Sequence, residues 1–419
     1  MTSFVKTESK PLLLVLTASY PFSVAAESTF LAPEIHRYRD HFSRIVLVPQ
    51  DVRGGRAPIA EGVEVDTSLA EGLQAMRRLP LLIMGLLSWG FYSELWAHPW
   101  LMKTPSAVLR MALTRGRVEW MVRWFQRLRS AGQAPTVVYA FWLDIAFLAA
   151  GIFRSRGGRA ALVARAHGGD LYAERHSPAH IPFQEEMIAL ADHIAPDSTA
   201  GAVYLKGKYP QHAGKIEMAL LGTDDPGFRT AASTDGVVRI VSCAFLVGVK
   251  RIGLLVQGIA LLAERNRGLS IEWTHFGDGP LMPDIRSLAN SLLPSQVRWQ
   301  MKGHVETRAI YDWYREQPVD AFINVSSSEG TPVSIMEAIS CSIPVIATSV
   351  GGNQEIVNES LGQLIPADPT ALDIAEGIEN VCLCGEYRDT LKRGSRAQWE
   401  ANYSAEKNYS AFCVLLRRR

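Results

Sequence analysis

Residues 325–355, VSSSEGTPVSIMEAISCSIPVIATSVGGNQE, decide the reading of this chain. The apolar run 321–325 has strand character and ends in the polar, turn-prone segment 326–330. Thr331 suits an N-cap and Pro332 the first helical position. Val333, Met336, Ile339 and Ser340 then recur at helical spacing until Pro344 stops the helix. A helix start of this kind presents free backbone N–H groups, and Gly330 lets a ligand approach the backbone closely, so the segment favours phosphate. Glu329 lies just outside the helix and Glu337 about two turns further in, flanked by Ile335, Met336, Ala338 and Ile339. A carboxylate is a poor partner for phosphate. Each acid is better suited to accept hydrogen bonds from hydroxyls of the molecule that carries the phosphate, as a sugar or ribose would. Spacing alone also allows a solvated helix face, but the apolar setting of Glu337 points to an acid that is either capped or working.

Outward from this stretch, short apolar runs alternate with longer periodic ones. Residues 12–16, 45–48, 137–139 and 162–165 read as parallel strands of a first α/β domain, and 238–243, 271–276, 321–325 and 345–347 as those of a second. Two doubly wound sheets are expected, over 1–222 and 236–399, with the polar segment 223–235 as linker and hinge. A chain of 419 residues that is 47% hydrophobic can bury two cores. A net charge of +1 argues against a wholesale nucleic-acid binder. The five cysteines, Cys243, Cys341, Cys382, Cys384 and Cys413, form no disulfide framework, and Cys382 with Cys384 lacks a second ligand pair for zinc. The opening MTSFVKTESK and the apolar run after it are too short and wrongly flanked for a signal peptide, so a cytoplasmic location is expected. No G-x-G-x-x-G follows the first strand, which counts against a dinucleotide-dependent oxidoreductase.

The ordered motifs resemble the retaining nucleotide-sugar glycosyltransferases of family 4, whose second domain carries E-x7-E, a G-x-P-V-I strand and V-G-G-x-x-E-[IL]-[IV]. Glu329, Gly330, Pro332, Glu337, Ala338, Pro344, Val345, Ile346, Gly351, Gly352, Glu355, Ile356 and Val357 match. Gly277-Asp278-Gly279-Pro280 is similar to the family's G-x-G-P turn, and residues 242–251 to its phosphate-contacting loop. The first half adds Tyr20-Pro21, residues 27–30, 139–142, 165–172 and 221–223, in the family's order. The resemblance implies the GT-B architecture: α/β, with an acceptor-binding and a donor-binding Rossmann-like domain facing across a cleft. A last helix, about 400–419, returns to the first domain.

The same resemblance implies transfer of a hexose-type sugar, with retention, from a nucleotide diphosphate sugar to a hydroxyl of a glycan or lipid-linked acceptor. Cell-surface polysaccharide synthesis is the implied setting. No cofactor is expected, and no metal, because no Asp-x-Asp stands in a carboxylate-rich surround. Lys250 and the helix start would stabilise the departing diphosphate. Arg251 would add a second charge or lie on a helix surface, and Phe245 replaces the arginine usual five residues before Lys250. Gly277, Gly330, Thr331, Pro332 and Val333 would line the donor, Glu329 would contact the transferred sugar, and Glu337 the ribose. His167 would face the sugar or act as a structural hydrogen bonder, and Asp170 would contact acceptor or anchor its loop. Glu27 would bind acceptor hydroxyls or serve as a first-turn helix acid. The loop 19–30 lacks the Gly-Gly pair many members carry. An epimerase of the same architecture and a degenerate nucleotide-binding subunit are the other readings.

Residues 77–129 carry nine basic residues against two acids, Glu94 and Glu119, together with Trp89, Trp96, Trp100, Trp120 and Trp124. The run 79–96 is broken by Gly85, Ser88, Gly90 and Glu94 and falls short of the ~20 clean residues of a membrane span. Val118, Met121, Val122, Phe125 and Leu128 share a helical face, with Arg123 and Arg127 on another. Such a helix suits either the anionic inner surface of a membrane or a layer packed on the first sheet with its arginines in solvent.

Overall fold

The computed structural model describes residues 11–22 and 26–418. The opening segment 1–10 and part of the loop 19–30 therefore lie outside the described residues. The chain forms two compact units, one of residues 1–221 with 408–419 and the other of residues 222–407.

Each unit is built on a six-stranded parallel sheet. The first comprises β1 (Leu12–Thr17), β2 (Arg44–Pro49), β3 (Val63–Val65), β4 (Val137–Ala140), β5 (Ala161–Ala166) and β6 (His193–Pro196), in the order β3-β2-β1-β4-β5-β6. The second comprises β7 (Val237–Cys243), β8 (Ser270–Phe276), β9 (Val297–Met301), β10 (Ala321–Asn324), β11 (Val345–Thr348) and β12 (Gly362–Ile365), in the order β12-β11-β10-β7-β8-β9. Both orders reverse beside their first strand, so each sheet has a switch point: between β1 and β4, and between β7 and β10. Ligands of open parallel sheets bind beyond the carboxyl ends of the strands at such points.

The eight apolar runs of the sequence are the central strands; the four strands it did not announce, β3, β6, β9 and β12, are the edges of the two sheets. The physical reason is burial. β4, β10 and β11 are buried at every position, whereas β9 and β12 alternate with exposed or half-buried residues. A strand covered on both faces reads as a continuous apolar run, and an edge strand need not.

The segment expected as a hinge, 223–235, is fastened along the second unit. The Thr230 N–H donates to the Cys341 carbonyl (2.9 Å), the Ser233 N–H to Asp320 Oδ1 (2.9 Å), and Lys392 Nζ to the Thr230 carbonyl (2.6 Å). It is the backbone groups of Thr230 and Ser233 that serve as anchors here. The last helix, Ala405–Arg417, starts later than expected, and its residues from 408 onward complete the first unit. There Phe412 lies under the Arg165 guanidinium at 4.0 Å and beside Tyr139 at 5.2 Å. Arg165 is fully buried and paired with the equally buried Glu34 at 3.3 Å.

Residues 78–130 add three α-helices to the first unit, Arg78–Leu86, Trp89–Ala97 and Pro105–Ser130, with a 3-10 turn, Pro99–Lys103, before the last. The first and third cross at paired glycines. A Cβ at Gly85 would meet the Ala112 carbonyl at 1.8 Å, and one at Gly116 the Leu81 carbonyl at 1.8 Å. Gly85, which interrupts the apolar run in sequence, is thus required by close helix packing. Val118, Met121, Val122 and Phe125 are buried in the core, as are Trp120 and Trp124. The helical face proposed above for a membrane is therefore occupied, and the exposed aromatic residues lie instead on the shorter helices before it.

Candidate functional site

The second unit brings the loops after β7 and β10 together at its switch point. The loop after β7 is shaped from behind by the turn after β8: the Leu246 N–H donates to the Asp278 carbonyl (2.8 Å). Gly277, at φ 134°, allows this approach, since a Cβ there would stand 1.9 Å from the Ala244 carbonyl. The loop after β10 is tied to the first by the Ser327 N–H, which donates to the Val249 carbonyl (2.8 Å). Between them, Lys250 Nζ donates to Glu329 Oε1 at 2.7 Å. Asn324 Nδ2 (3.0 Å) and Ser326 Oγ (2.6 Å) donate to the same oxygen. Among the described residues none of these donors reaches Oε2. The helix beyond runs Val333–Ser340 with Pro332 in the cap position, one residue later than the sequence suggested, and Thr331 lies just before it.

Two glycines explain why this loop keeps its form. Gly351 has φ 44°, and a Cβ on it would stand 2.0 Å from the Glu329 carbonyl; one on Gly352 would stand 1.9 Å from the Gly330 carbonyl. Residues 351–352 thus lie directly against the Glu329–Gly330 backbone. A Cβ at Gly330 would meet nothing within 4 Å, so that side of the loop is open.

Arg251, itself at φ 50°, spends its guanidinium on the scaffold. Nε donates to the Val325 carbonyl (2.7 Å), Nη2 to the Ser326 and Ala367 carbonyls (both 2.8 Å), and Nη1 to Asp368 Oδ1 (3.0 Å). These contacts hold the end of β10 in place and leave Lys250 as the cation that faces Glu329. Glu337 is buried one face further into the helix. Burial pushes its carboxyl up to about 7, partly offset by a hydrogen bond from Thr307. Asn324, Ser326 and Thr307 were not picked out from sequence; Asn324, a polar residue closing an apolar strand, was the readable signal.

In the first unit the switch point is filled by Glu27. Its carboxylate accepts the N–H groups of Ala18 (2.7 Å), Ser19 (2.8 Å) and Tyr20 (2.9 Å) after β1, and the indole N–H of Trp142 (2.6 Å) after β4. It lies in the first turn of the helix Ala26–Tyr38, as the alternative reading had it, and from there its carboxylate organises these loops. His167, following β5, places Nδ1 2.9 Å from Asp197 Oδ2 and Nε2 2.9 Å from the Phe141 carbonyl. Both neighbours are acceptors, a surround that favours the doubly protonated ring. Burial opposes that charge, but the hydrogen bond and charge of Asp197 outweigh it and hold the pKa above the ordinary value. Asp170 accepts the Leu143 N–H (2.8 Å) and the His167 N–H, and burial pushes it up to about 6. The structure therefore groups Glu27, His167 and Asp170 at the carboxyl ends of β1, β4 and β5, hydrogen-bonded as anchors. Lys250 and Glu329 meet in the second unit.

Residues 238–382 match the family described as Glycosyl transferases group 1. The GtfA subunit of the UDP-N-acetylglucosamine–peptide N-acetylglucosaminyltransferase of Streptococcus pneumoniae serotype 4 is 28% identical over 163 residues, 38% of this chain and 30% of that protein. A D-inositol 3-phosphate glycosyltransferase of Actinosynnema mirum is 26% identical over 226 residues, 50% of this chain and 53% of that protein. The chain spans about half or less of the length of these curated relatives. Among solved structures, the apo form of the lipopolysaccharide outer core galactosyltransferase WaaB superposes with a TM-score of 0.66 at 15% identity, covering 97% of this chain and 99% of that one. Anabaena Alr3699/HepE, in complex with UDP and glucose, gives 0.62 at 14% identity with the same coverage. The fold is that of the GT-B glycosyltransferases over nearly the whole chain.

Proposed function

We propose that this chain is a retaining glycosyltransferase of family 4 type that moves a hexose-type sugar from a nucleotide diphosphate sugar to a hydroxyl of a glycan or lipid-linked saccharide in cell-surface polysaccharide synthesis. The observation that carries the reading is the Lys250–Glu329 pair at the switch point of the second sheet, beside an open glycine and a helix start. As the glycosidic bond stretches, the diphosphate gains negative charge. Lys250 and the N–H groups ahead of the first intrahelical donor, Ile335, supply positive potential there. The donor phosphates draw Lys250 away from Glu329, which frees that carboxylate to accept a sugar hydroxyl. Glu337 accepts from the ribose. Arg251 and Gly277 act through the loops they hold, and no cofactor or metal is assigned to the step. His167, Asp170 and Glu27 shape the acceptor side by fixing the loops after β1, β4 and β5.

We place the reaction in the cytoplasm at the anionic inner face of the cell membrane. Leu87, Trp89 and Trp96 support attachment, with 81%, 78% and 86% of their surface exposed. Among the described residues no helix is long and apolar enough to cross a membrane.

A thermal-shift screen against UDP, GDP, ADP and their sugars tests the donor assignment, since a ligand at a hundred times its Kd stabilises by ~2.7 kcal/mol. One nucleotide is expected to respond, and Lys250→Ala to cut turnover roughly 10²–10³-fold. Silence from every nucleotide would overturn the reading, and product formed from donor without acceptor would establish the epimerase instead.

A further inference from the structure

The helix Trp89–Ala97 carries Glu94 in its last turn and a half and runs into His98, its C-cap. Four residues apart, the two side chains fall on one face of the turn. Facing them is His180, from the loop that follows the short turn Ala173–Arg175. Among the described residues these three side chains alone stand close enough to share one metal ion, with one ligand atom from each lying within 4.8 Å of the others. His180 Nε2 is 2.9 Å, and His98 Nδ1 3.7 Å, from the same oxygen, Glu94 Oε1.

His180 supplies a second and independent observation. Its side chain is nine-tenths buried, and its Nε2 has no hydrogen-bond partner among the described residues, although it points into this group. The nearness to Glu94 Oε1 comes without the alignment of a hydrogen bond. A buried ring nitrogen without a hydrogen bond is costly, and a ligand that takes its lone pair satisfies it. The carboxylate is held in place by the Phe183 N–H, which donates to Glu94 Oε1 at 2.8 Å, the outer contact that metal-binding carboxylates require.

We propose that Glu94, His98 and His180 form a zinc site. Two imidazoles and one carboxylate are a borderline donor set that suits zinc rather than magnesium or calcium. Ligand atoms of a tetrahedral zinc at ~2.0–2.1 Å stand about 3.3 Å apart, between the two separations seen here. The fourth position is left to water or another ligand. Glu94 and His98 line one pocket of about 560 Å³ and His180 another of about 430 Å³, so the position is not walled off. The ion clasps the helix that carries the exposed Trp89 and Trp96 to the loop 176–183, and this loop is tied at its start to the turn after His167 by His176 Nε2 and the Gly169 carbonyl (2.8 Å).

The test uses the full chain, stripped with chelator and titrated with zinc alone. One equivalent is expected, with a rise in Tm. Loss of outer-shell contacts already costs ~10–100-fold in metal affinity, so His180→Ala is expected to weaken binding by more than that. Cobalt in place of zinc should give visible absorption that disappears in His180→Ala while far-UV circular dichroism stays unchanged. Should that variant fail to fold, His98→Ala, at the more exposed ligand, carries the same test. The proposal is overturned if no stoichiometric zinc binds, or if both histidine replacements leave the zinc affinity and the cobalt spectrum unaltered, since the ion then sits elsewhere.

Discussion

Burial gives Glu337 a carboxyl that titrates near neutrality, and this has a direction that can be measured. A group whose pKa is raised from 4.5 to about 7 on folding binds more protons folded than unfolded between those values. Folding stability must therefore fall as pH rises through that window, by about 3 kcal/mol in all, and stay at the lower level above it. Glu337→Gln removes the slope: its unfolding free energy between pH 5 and 8 should change less than that of the parent, and the variant should be the more stable at pH 8. Parallel denaturation curves across this range would dismiss the assignment. At this scale residue type was legible and role was not. Glu329 and Lys250 were readable as candidates from their motifs, whereas the use of Arg251 on four scaffold acceptors and of Glu27 on four N–H donors was not. A side chain carries its charge in the sequence but acquires its partners only in the fold.

Elements repeat the lesson through backbone contact. The V-G-G turn and the loop around Glu329 are separate in sequence, yet each is shaped by the other. Gly352→Ala places a Cβ 1.9 Å from the Gly330 carbonyl and 2.9 Å from Pro332 Cδ, so the helix start must shift. A loss of about 1–3 kcal/mol in stability is expected, with weakened nucleotide binding. Gly330→Ala meets no atom, so its Tm should hold while nucleotide affinity drops, because the methyl group enters the space assigned to the ligand. Calorimetry of both variants, with and without nucleotide, separates the two; equal Tm losses would refute the distinction. The central strands could be read because both faces are buried. The edge strands β3, β9 and β12 could not, having weaker reason to be apolar, and β6, though buried at three of its four positions, is too short and polar at its start to stand out.

At the scale of the molecule, each unit repeats one strand order, and the first draws on both ends of the chain. Its surface bears the exposed Leu87, Trp89 and Trp96, and Arg77 and Arg78 precede them in the sequence. In flotation assays the chain should rise with anionic vesicles and less with neutral ones, and Trp89→Ser with Trp96→Ser should abolish the difference. Failure to rise with either vesicle would sink the attachment. The sequence by itself determined two α/β units, their central strands and the loops that follow them, because hydrophobic period and turn chemistry act over a few residues. Only the tertiary structure decided that Lys250 meets Glu329, that the first switch point is filled by Glu27, and that His180 faces Glu94 and His98. Those meetings depend on which strands become neighbours and on how loops pack, and local periodicity does not encode either.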